Sequence, residues 1–529
     1  MTKYLINRLL RGLLSIVIVV AIVMLLIYTF MDRSLIFAND TTYQKQKSNN
    51  KEVYKMQTFE KYGYVDYIPY TDYLKELLSS GEITEEIYNA VATIGNAKDG
   101  SKDSEKTSEY IQRFTEKYEN NGYNVVRLGA DLKPGTQKPK EGGQPRLYAY
   151  RDIPLFSRLW SYLSSIVKID NIHYVKEDIE NRGISFTFFD PVYGGEKFSP
   201  AIIGNGTQYK YLLYFDDSFP YLHQNLIRIS LGTSYSVNQG NDVFNTMTES
   251  QGKFKTSLVH YPSGLVSESA DDLHSARYLA GSLENGTVVV QSSFVDDYTI
   301  ISTRKGGLSK IGYSFVIGLI SVILAYLLAI PLGTWMALKK GKLVDKLGTI
   351  YIIFIIAVPS LAYIFLFRAI GTSFGLPSRF NVDDVGNFTM YILPIISLAL
   401  PSVASLMKWL RRYMIDQMNS DYVKFARSGG LSEGEIFRKH ILKNAIIPIV
   451  HGIPGAILGA LVGAIITERV YVVPGAGNLL TEAINKYDNG VIVGVTLFYA
   501  LLSVISIILG DLLMSLIDPR ISFATKNER

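Results

Sequence analysis

At 529 residues the chain could hold about three soluble domains, but 48% of it is hydrophobic, only 19% is charged, and the mean hydropathy is +0.14, which points to a membrane protein. The net charge of +5 divides unevenly: Met31–Lys305 carries 30 Lys/Arg against 35 Asp/Glu, and the remainder 23 against 13, so the basic excess sits beside the apolar segments and argues against nucleic-acid binding. With no cysteine, disulfides, thiolate-held metals and a thiol nucleophile are excluded.

The first element is the uncharged run Leu13–Phe30, preceded by Lys3, Arg8 and Arg11. A bilayer core of roughly 30 Å needs about 20 apolar residues of helix. Basic residues before an apolar run also suit a signal peptide, but this run exceeds the usual apolar region and no small-x-small cleavage site follows, so a retained anchor is expected.

Met31–Lys305 is too long for a loop and should fold. Apolar spacing predicts helices over Asp72–Ser79, Thr84–Ile94, Ser104–Glu119 and Phe156–Val167. Tyr209–Phe215 and Thr287–Phe294, rich in β-branched and aromatic residues, predict strands. Lys133–Pro145, with its prolines and glycines, predicts an exposed loop. The segment holds 24 of the 36 tyrosines, which suit either a wet recognition surface or a tyrosine-rich core.

Five further uncharged segments are long enough to span: Ile311–Leu338, Leu347–Phe367, Phe388–Met407, Asn444–Thr467 and Gly490–Gly510. Lys339, Lys340, Lys342 and Lys346 follow the second. Lys408, Arg411, Arg412, Lys424, Arg427, Arg438, Lys439 and Lys443 follow the fourth. Together with the N-terminal cations these fall on one side of a six-span topology, which the positive-inside rule makes cytoplasmic. Both termini are then inside, and Met31–Lys305, Arg368–Asn387 and Glu468–Asn489 outside. The expected domains are an N-terminal tail with span one (1–30), an extracellular domain (31–305), and a core of spans two to six (306–529) that includes a cytoplasmic loop (408–443) and a C-terminal tail. In span five, Gly452, Gly455, Gly459 and Gly463, with Ala456, Ala460 and Ala464, make a small-residue face suited to close helix packing.

Catalytic signatures are missing. There is no phosphate-binding G-x-x-x-x-G-K-[ST] and no H-E-x-x-H, and the six histidines are scattered. Gly371–Gly375 matches G-x-S-x-G but follows a membrane segment and leads to Pro377, whereas a nucleophile elbow needs a strand before it and a helix after.

The loop between spans four and five is more informative. Asp421–Ser428 can form two helical turns, Gly429-Gly430 can stop them in the left-handed conformation, and Ser432-Glu433-Gly434-Glu435 is a capping box that starts a second helix towards Leu442. The product is a short helix–turn–helix with a rigid corner, a shape suited to a partner's groove. Arg411 and Arg412 read as positive-inside anchors or docking residues. Asp511, near the inner end of span six, is a functional candidate or a snorkelling group.

These residues carry a resemblance. Asp421-Tyr422-Val423, Ala426-Arg427, Gly430-Leu431-Ser432-Glu433, His440, Asn444-Ala445 and Pro448 resemble the coupling loop of binding-protein-dependent ABC importer permeases, and more narrowly their oligopeptide/dipeptide branch. The general pattern (E-A-A, three residues, G, nine residues, I-x-L-P) falls on Lys424-Phe425-Ala426, Gly430 and His440-Ile441-Leu442-Lys443. The departures at Lys424, Phe425, His440 and Lys443 are similar to those of peptide permeases. Glu468–Gly477 resembles the E…PGxG segment after span five, and Asp511 with Asp518-Pro519-Arg520-Ile521 the C-terminal signature. Phe219–Leu222 and Leu231–Ser234 look like the family's shorter outer loop, and the large insertion before them is similar to that of the streptococcal Ami-type oligopeptide permeases, in their first membrane subunit.

The resemblance implies an all-α polytopic membrane bundle of six transmembrane helices with a large α+β extracellular insertion between helices 1 and 2. It implies a non-enzymatic permease subunit of an ATP-driven oligopeptide importer in the cell membrane. The expected partners are a second homologous permease subunit, two cytoplasmic ABC ATPases, an extracellular peptide-binding lipoprotein, the peptide and membrane lipid. ATP and magnesium would be bound by the ATPases, with no cofactor in this chain. Asp421, Tyr422, Ala426, Arg427, Gly430, Leu431, Ser432 and Glu433 would couple to the ATPases. Glu468, Pro474, Gly475, Gly477 and Asp511 are candidates for translocation or gating. Two other classes remain open. A receptor or enzyme acting through the outer domain would have to use His173, His223, His260 and His274, which show no recognisable spacing. A self-contained channel or carrier would want charges deep in the spans.

Overall fold

The computed structural model describes residues 2–95, 103–136, 138–169, 171–190, 195–196, 198–215, 220–222, 227–254, 256–270, 276–299, 305–384 and 386–517. Phe219, His223, His274 and the Asp518–Ile521 signature lie outside them.

The chain opens with α1 (Thr2–Phe30), then α2 (Thr41–Lys45), α3 (Ser48–Lys61), β1 (Val65–Pro69), α4 (Tyr70–Ser79), α5 (Glu85–Val91), α6 (Glu105–Glu119), β2 (Asn124–Leu128), β3 (Arg146–Asp152) and α7 (Leu155–Ser165). Short strands follow: β4 (Val167–Ile169), β5 (Gly183–Thr187), β6 (Ala201–Asn205), β7 (Tyr211–Phe215), β8 (Pro220–Leu222) and β9 (Ile227–Ile229). Next come α8 (Val243–Thr248), β10 (Ser257–His260), β11 (Val266–Ser269), β12 (Arg277–Tyr278), α9 (Val288–Ser293) and β13 (Tyr298–Thr299). The rest is helical: α10 (Lys310–Leu338), α11 (Leu343–Ala357), α12 (Ser360–Ser373), α13 (Thr389–Met418), α14 (Asp421–Ser428), α15 (Glu433–Glu435), a π-helical stretch Ile436–Leu442, α16 (Lys443–His451), α17 (Ile453–Tyr471), α18 (Ala476–Asn485) and α19 (Asn489–Ile517).

Among the described residues five helices are long and apolar enough to cross a membrane: Ile6–Phe30, Lys310–Leu338, Thr389–Met418, Glu433–Tyr471 and Asn489–Ile517. The expected span Leu347–Phe367 is not one straight helix. It divides into α11 and α12, bent by 113°, so the total is five or, counting the bent pair, six. The break falls at Val358-Pro359, with Val358 extended at φ −87° and ψ 130°. Proline has no N–H to donate and drives the preceding residue out of helical geometry.

Between α1 and α10, β1, β3 and β2 form an antiparallel sheet, with Tyr67 opposite Tyr150 and Val126 opposite Tyr148. Helices α4 and α6 cover it through Tyr70, Tyr73, Leu74, Leu77, Phe114 and Tyr118, and Val91 of α5 joins the same core. Thr84 and Ser104 cap α5 and α6 by accepting from Ile87 and Thr107 amides, which sets both helix starts. A second sheet runs β5-β6-β7-β8. Among the described residues of this segment ten tyrosines are buried, Tyr64, Tyr148, Tyr211 and Tyr298 among them, so its aromatic richness builds much of its core. Thr287–Phe294, expected as a strand, is instead the helix α9. Thr287 accepts from the Val290 amide, and this cap outweighs the β preference of Val288–Val290.

The inserted segment is fastened to the bundle most tightly around the start of α19. The buried Asp488 carboxylate, at the start of α19, accepts from the amides of Tyr235, Ser236 and Val237 at 2.9 Å and from Ser234 Oγ at 2.7 Å. Asn489 Nδ2 donates to Tyr64 Oη at 2.8 Å. Backbone comes so close that a Cβ on Gly490 would lie 1.9 Å from the Thr233 carbonyl oxygen, and one on Gly494 2.5 Å from that of Leu231.

Candidate functional site

The corner after α13 is built from local rules. Only Asn419 and Ser420 separate α13 from α14, so most of the expected 36-residue loop is helix. α14 ends in a Schellman motif: Leu431 N–H donates to the Ala426 carbonyl at 3.3 Å and Gly430 N–H to that of Arg427 at 3.1 Å. Gly430 takes the left-handed conformation at φ +82°, while Gly429 does not. Ser432 and Glu435 form both halves of the capping box. Arg427 grips Glu433 through Nε at 2.5 Å and Nη2 at 3.0 Å, strapping one side of the corner to the other. Tyr422 Oη bonds Gln417 and accepts from Asn444 at 3.1 Å.

The second helix is not short. It runs from Glu433 through the π-helical stretch into α16 and α17, and so is continuous with the apolar helix that follows. Val423, Ile436 and Ile441 are buried with Leu410, Met414, Ala445 and Ile449, and Ala426 and Leu431 pack against them. The corner is therefore seated rigidly on the bundle end. Its outward face presents Lys424 and Phe425, the latter 76% exposed. Phe425 was legible only as a departure from the family pattern; its exposure makes it the apolar tip of the knob. Asp421 is exposed, and its ion pair with Lys424 holds its carboxyl below the usual range.

Arg411 is neither a simple anchor nor a free docking residue. It makes a bidentate pair, at 2.5 and 2.8 Å, with the buried Asp345 of α11, whose carboxylate also accepts from Gly341 N–H. Sequence reasoning missed this partner because the two lie 66 positions apart. Arg412 stacks on Trp409.

The E…PGxG residues assemble at the opposite end of α17. Glu468 is fully buried, accepting from Ser314 Oγ of α10 and from Asn478 N–H at 2.9 Å. Ser314 Oγ in turn accepts from Ala476 N–H at 2.8 Å. A carboxylate at the first turn of α18 meets unpaired amides and the positive end of the helix. Glycine is required beside it: a Cβ on Gly475 would lie 2.2 Å from the Glu468 carboxyl carbon, and one on Gly477 3.0 Å from its Oε2. Val472 turns the chain with φ +58°, and Pro474 follows before α18. Asp511, near the end of α19, accepts from Tyr4 Oη at 2.8 Å and pairs with Arg8 at 3.1 Å, joining α19 to α1. The structure thus brings Glu468, Gly475 and Gly477 together and leaves Asp511 in a separate cluster.

The small-residue face of α17 does not close on this chain. Gly452, Gly455 and Gly459 are exposed, and a Cβ on Gly455 or Gly459 would meet nothing within 4 Å. Ala460 and Ala464 are buried on the other side.

A family model described as binding-protein-dependent transport system inner membrane component matches residues 329–523. Over 531 aligned residues the chain is 35% identical to the oligopeptide transport system permease protein AmiC of Streptococcus pneumoniae, covering 99% of both chains. It is 31% identical over 217 residues to the dipeptide transport system permease protein DppB of Lactococcus lactis, covering 40% of this chain and 69% of that one. It is 28% identical over 244 residues to the oligopeptide transport system permease protein AppB of Bacillus subtilis, covering 43% of this chain and 76% of that one.

Proposed function

We propose, from the premise that this chain belongs to the family of binding-protein-dependent transport system inner membrane components, that it is the translocation subunit of an ATP-driven importer whose cargo is oligopeptides. The observation that carries the cargo is the similarity along the whole length to an oligopeptide permease, which includes the insertion and not only the bundle. The chain is a multi-pass membrane protein and a transporter subunit.

In this proposal both termini and the Asp421–Glu435 corner are cytoplasmic, and 31–305 is extracellular. The corner, with Phe425 at its tip, sits in the groove of a partner ATPase that binds ATP and magnesium. A rigid knob continuous with a spanning helix can bias a two-state bundle, because any tilt of the knob is a tilt of the helix. The uncovered glycine face of α17 meets a second, homologous permease subunit, where small residues let backbones approach. The inserted segment receives a peptide-loaded binding lipoprotein. The Glu468 cluster, buried and fully bonded, holds the end of α17 to α18 and α10 rather than lining the path.

The test is co-purification followed by reconstitution with the second permease and both ATPases. Gly430→Val should lower peptide uptake and peptide-stimulated ATP hydrolysis together while the subunits still assemble. Normal uptake in a well-expressed Gly430→Val complex would remove the corner from the coupling role, and failure of the parent complex to carry peptides would remove the cargo.

A further inference from the structure

Helix α7 lies beside the far end of α1. Its Leu155, Leu159, Tyr162 and Leu163 pack against the core that Val20, Met24 and Ile27 of α1 share with α19. A cavity of ≈ 500 Å³ opens next to this contact, lined by Met24 and Tyr28 of α1, by Ser157, Arg158 and Ser161 of α7, and by Lys61, among others. Met24 and Tyr28 stand six and two residues before Phe30, or about 9 and 3 Å along the helix, so α7 lies level with the last turns of the apolar run.

At that depth the outward face of α7 is apolar. Phe156 is 76% and Trp160 68% exposed, one turn apart, and Phe30 at the end of α1 is 78% exposed. Ile169 and Ile229, on the paired strands β4 and β9 that follow, are exposed too. Beside the aromatics the exposed face turns to serine, at Ser157 and Ser161, and these border the cavity. Arg158 is held there between the rings of Tyr28 and Tyr64, at 5.0 and 4.7 Å. It donates to the Tyr64 carbonyl, its Nε is buried without an acceptor, and among the described residues no carboxylate pairs with it. Asp152, the carboxylate whose charge reaches it, is already paired with Arg33 at 2.5 Å. Lys61 adds a second, exposed cation.

We propose that α7 is an interfacial helix and that the cavity on its serine side holds the phosphate of an anionic phospholipid in the leaflet that Phe30 reaches. Tryptophan and phenylalanine favour the headgroup level, where an apolar ring meets lipid. Two cations and two hydroxyls at the cavity wall match a phosphodiester, and the packing of α7 against the end of a membrane-spanning helix places lipid, not solvent, against its outward face. The proposal stands apart from the identity of the cargo.

The chain has three tryptophans, so Trp335→Phe and Trp409→Phe leave Trp160 as a single reporter in the full-length protein. The protein is placed in nanodiscs of phosphatidylcholine and phosphatidylglycerol, with brominated acyl chains on one lipid or the other. Trp160 should be quenched by both lipids and more strongly by brominated phosphatidylglycerol. Lys61→Gln should cut that preference about five-fold, the equivalent of one surface cation. Arg158→Gln should do the same if it folds, and the exposed Lys61 keeps the test decisive if it does not. Equal quenching by the two lipids would overturn the headgroup site. No quenching by either, with full access to aqueous acrylamide, would overturn the interfacial helix.

Discussion

At the scale of single residues, the buried carboxylates do the joining. Glu468 and Asp488 each satisfy amides at the start of a helix and tie it to a distant segment. Glu468→Ala would leave the Asn478 amide and the Ser314 hydroxyl without their acceptor, at a cost of about 1–3 kcal/mol each. Gly475→Ala overpacks the same contact, at about 1–3 kcal/mol. Both should lower the melting temperature of the purified protein, while Gly434→Ala, in open space, should leave it unchanged. A Gly475→Ala protein that melts like the parent would refute the close contact. The tyrosines give a second residue-scale prediction. Burial pushes Tyr62, Tyr118 and Tyr148 up to about 12. Because the folded state keeps the proton longer than the unfolded chain, the associated stability is complete below pH 10 and is lost as pH rises from 10 through about 12. Tyrosinate absorbance should therefore show an early phase near pH 10 and a late phase accompanied by loss of the inserted segment's circular dichroism. A single phase near pH 10 with the fold intact would contradict that burial.

Among the elements, the corner from α14 to α15 is set by sequence-local chemistry, and its strength can be dissected. Gly430 holds φ +82° with open space around it, so Gly430→Ala costs only left-handed strain, about 1–2 kcal/mol. Gly430→Asn, which tolerates that region, should cost less. Arg427→Gln removes an exposed, solvent-screened pair that adds little to stability. Uptake and stimulated ATP hydrolysis should thus fall in the order Val, Ala, Asn at Gly430, without matching losses in melting temperature. An order that tracked melting temperature instead would make the corner structural rather than coupling.

For the whole molecule, the proposed topology puts 31–305 and the corner on opposite sides of the membrane, and the absence of cysteine makes it directly testable. Ser104 caps α6, so the exposed Gln112 is the better outer position, and Lys342, exposed between α10 and α11, the inner one. In intact cells an impermeant thiol reagent should label Gln112→Cys and spare Lys342→Cys. The reverse pattern would invert the map. The junction at Asp488 also predicts that the inserted segment and bundle are mechanically one. Asp488→Asn keeps the volume but removes the charge that five donors share, and should make residues 231–237 newly sensitive to limited proteolysis.

The apolar runs, the Schellman corner at Gly430 and the capping box at Ser432 were legible in the sequence, because each depends on residues within a turn or two of one another. So was the family, through motifs at fixed spacing. The bend at Pro359 was missed, because Leu347–Phe367 read as one apolar span by length alone, and its 113° bend follows from how α11 and α12 pack on their neighbours. The helix at Val288–Ser293 was hidden because a capping threonine overrode a β-branched run. The tertiary structure alone decided that Arg411 pairs with Asp345, that Asp488 fastens the inserted segment and that the α17 glycines face outward. Such contacts join positions tens to hundreds of residues apart, and a buried charge or a close backbone approach has no local signature. Its partner is fixed only when the packed helices exclude water and leave one geometry in which every polar group is satisfied.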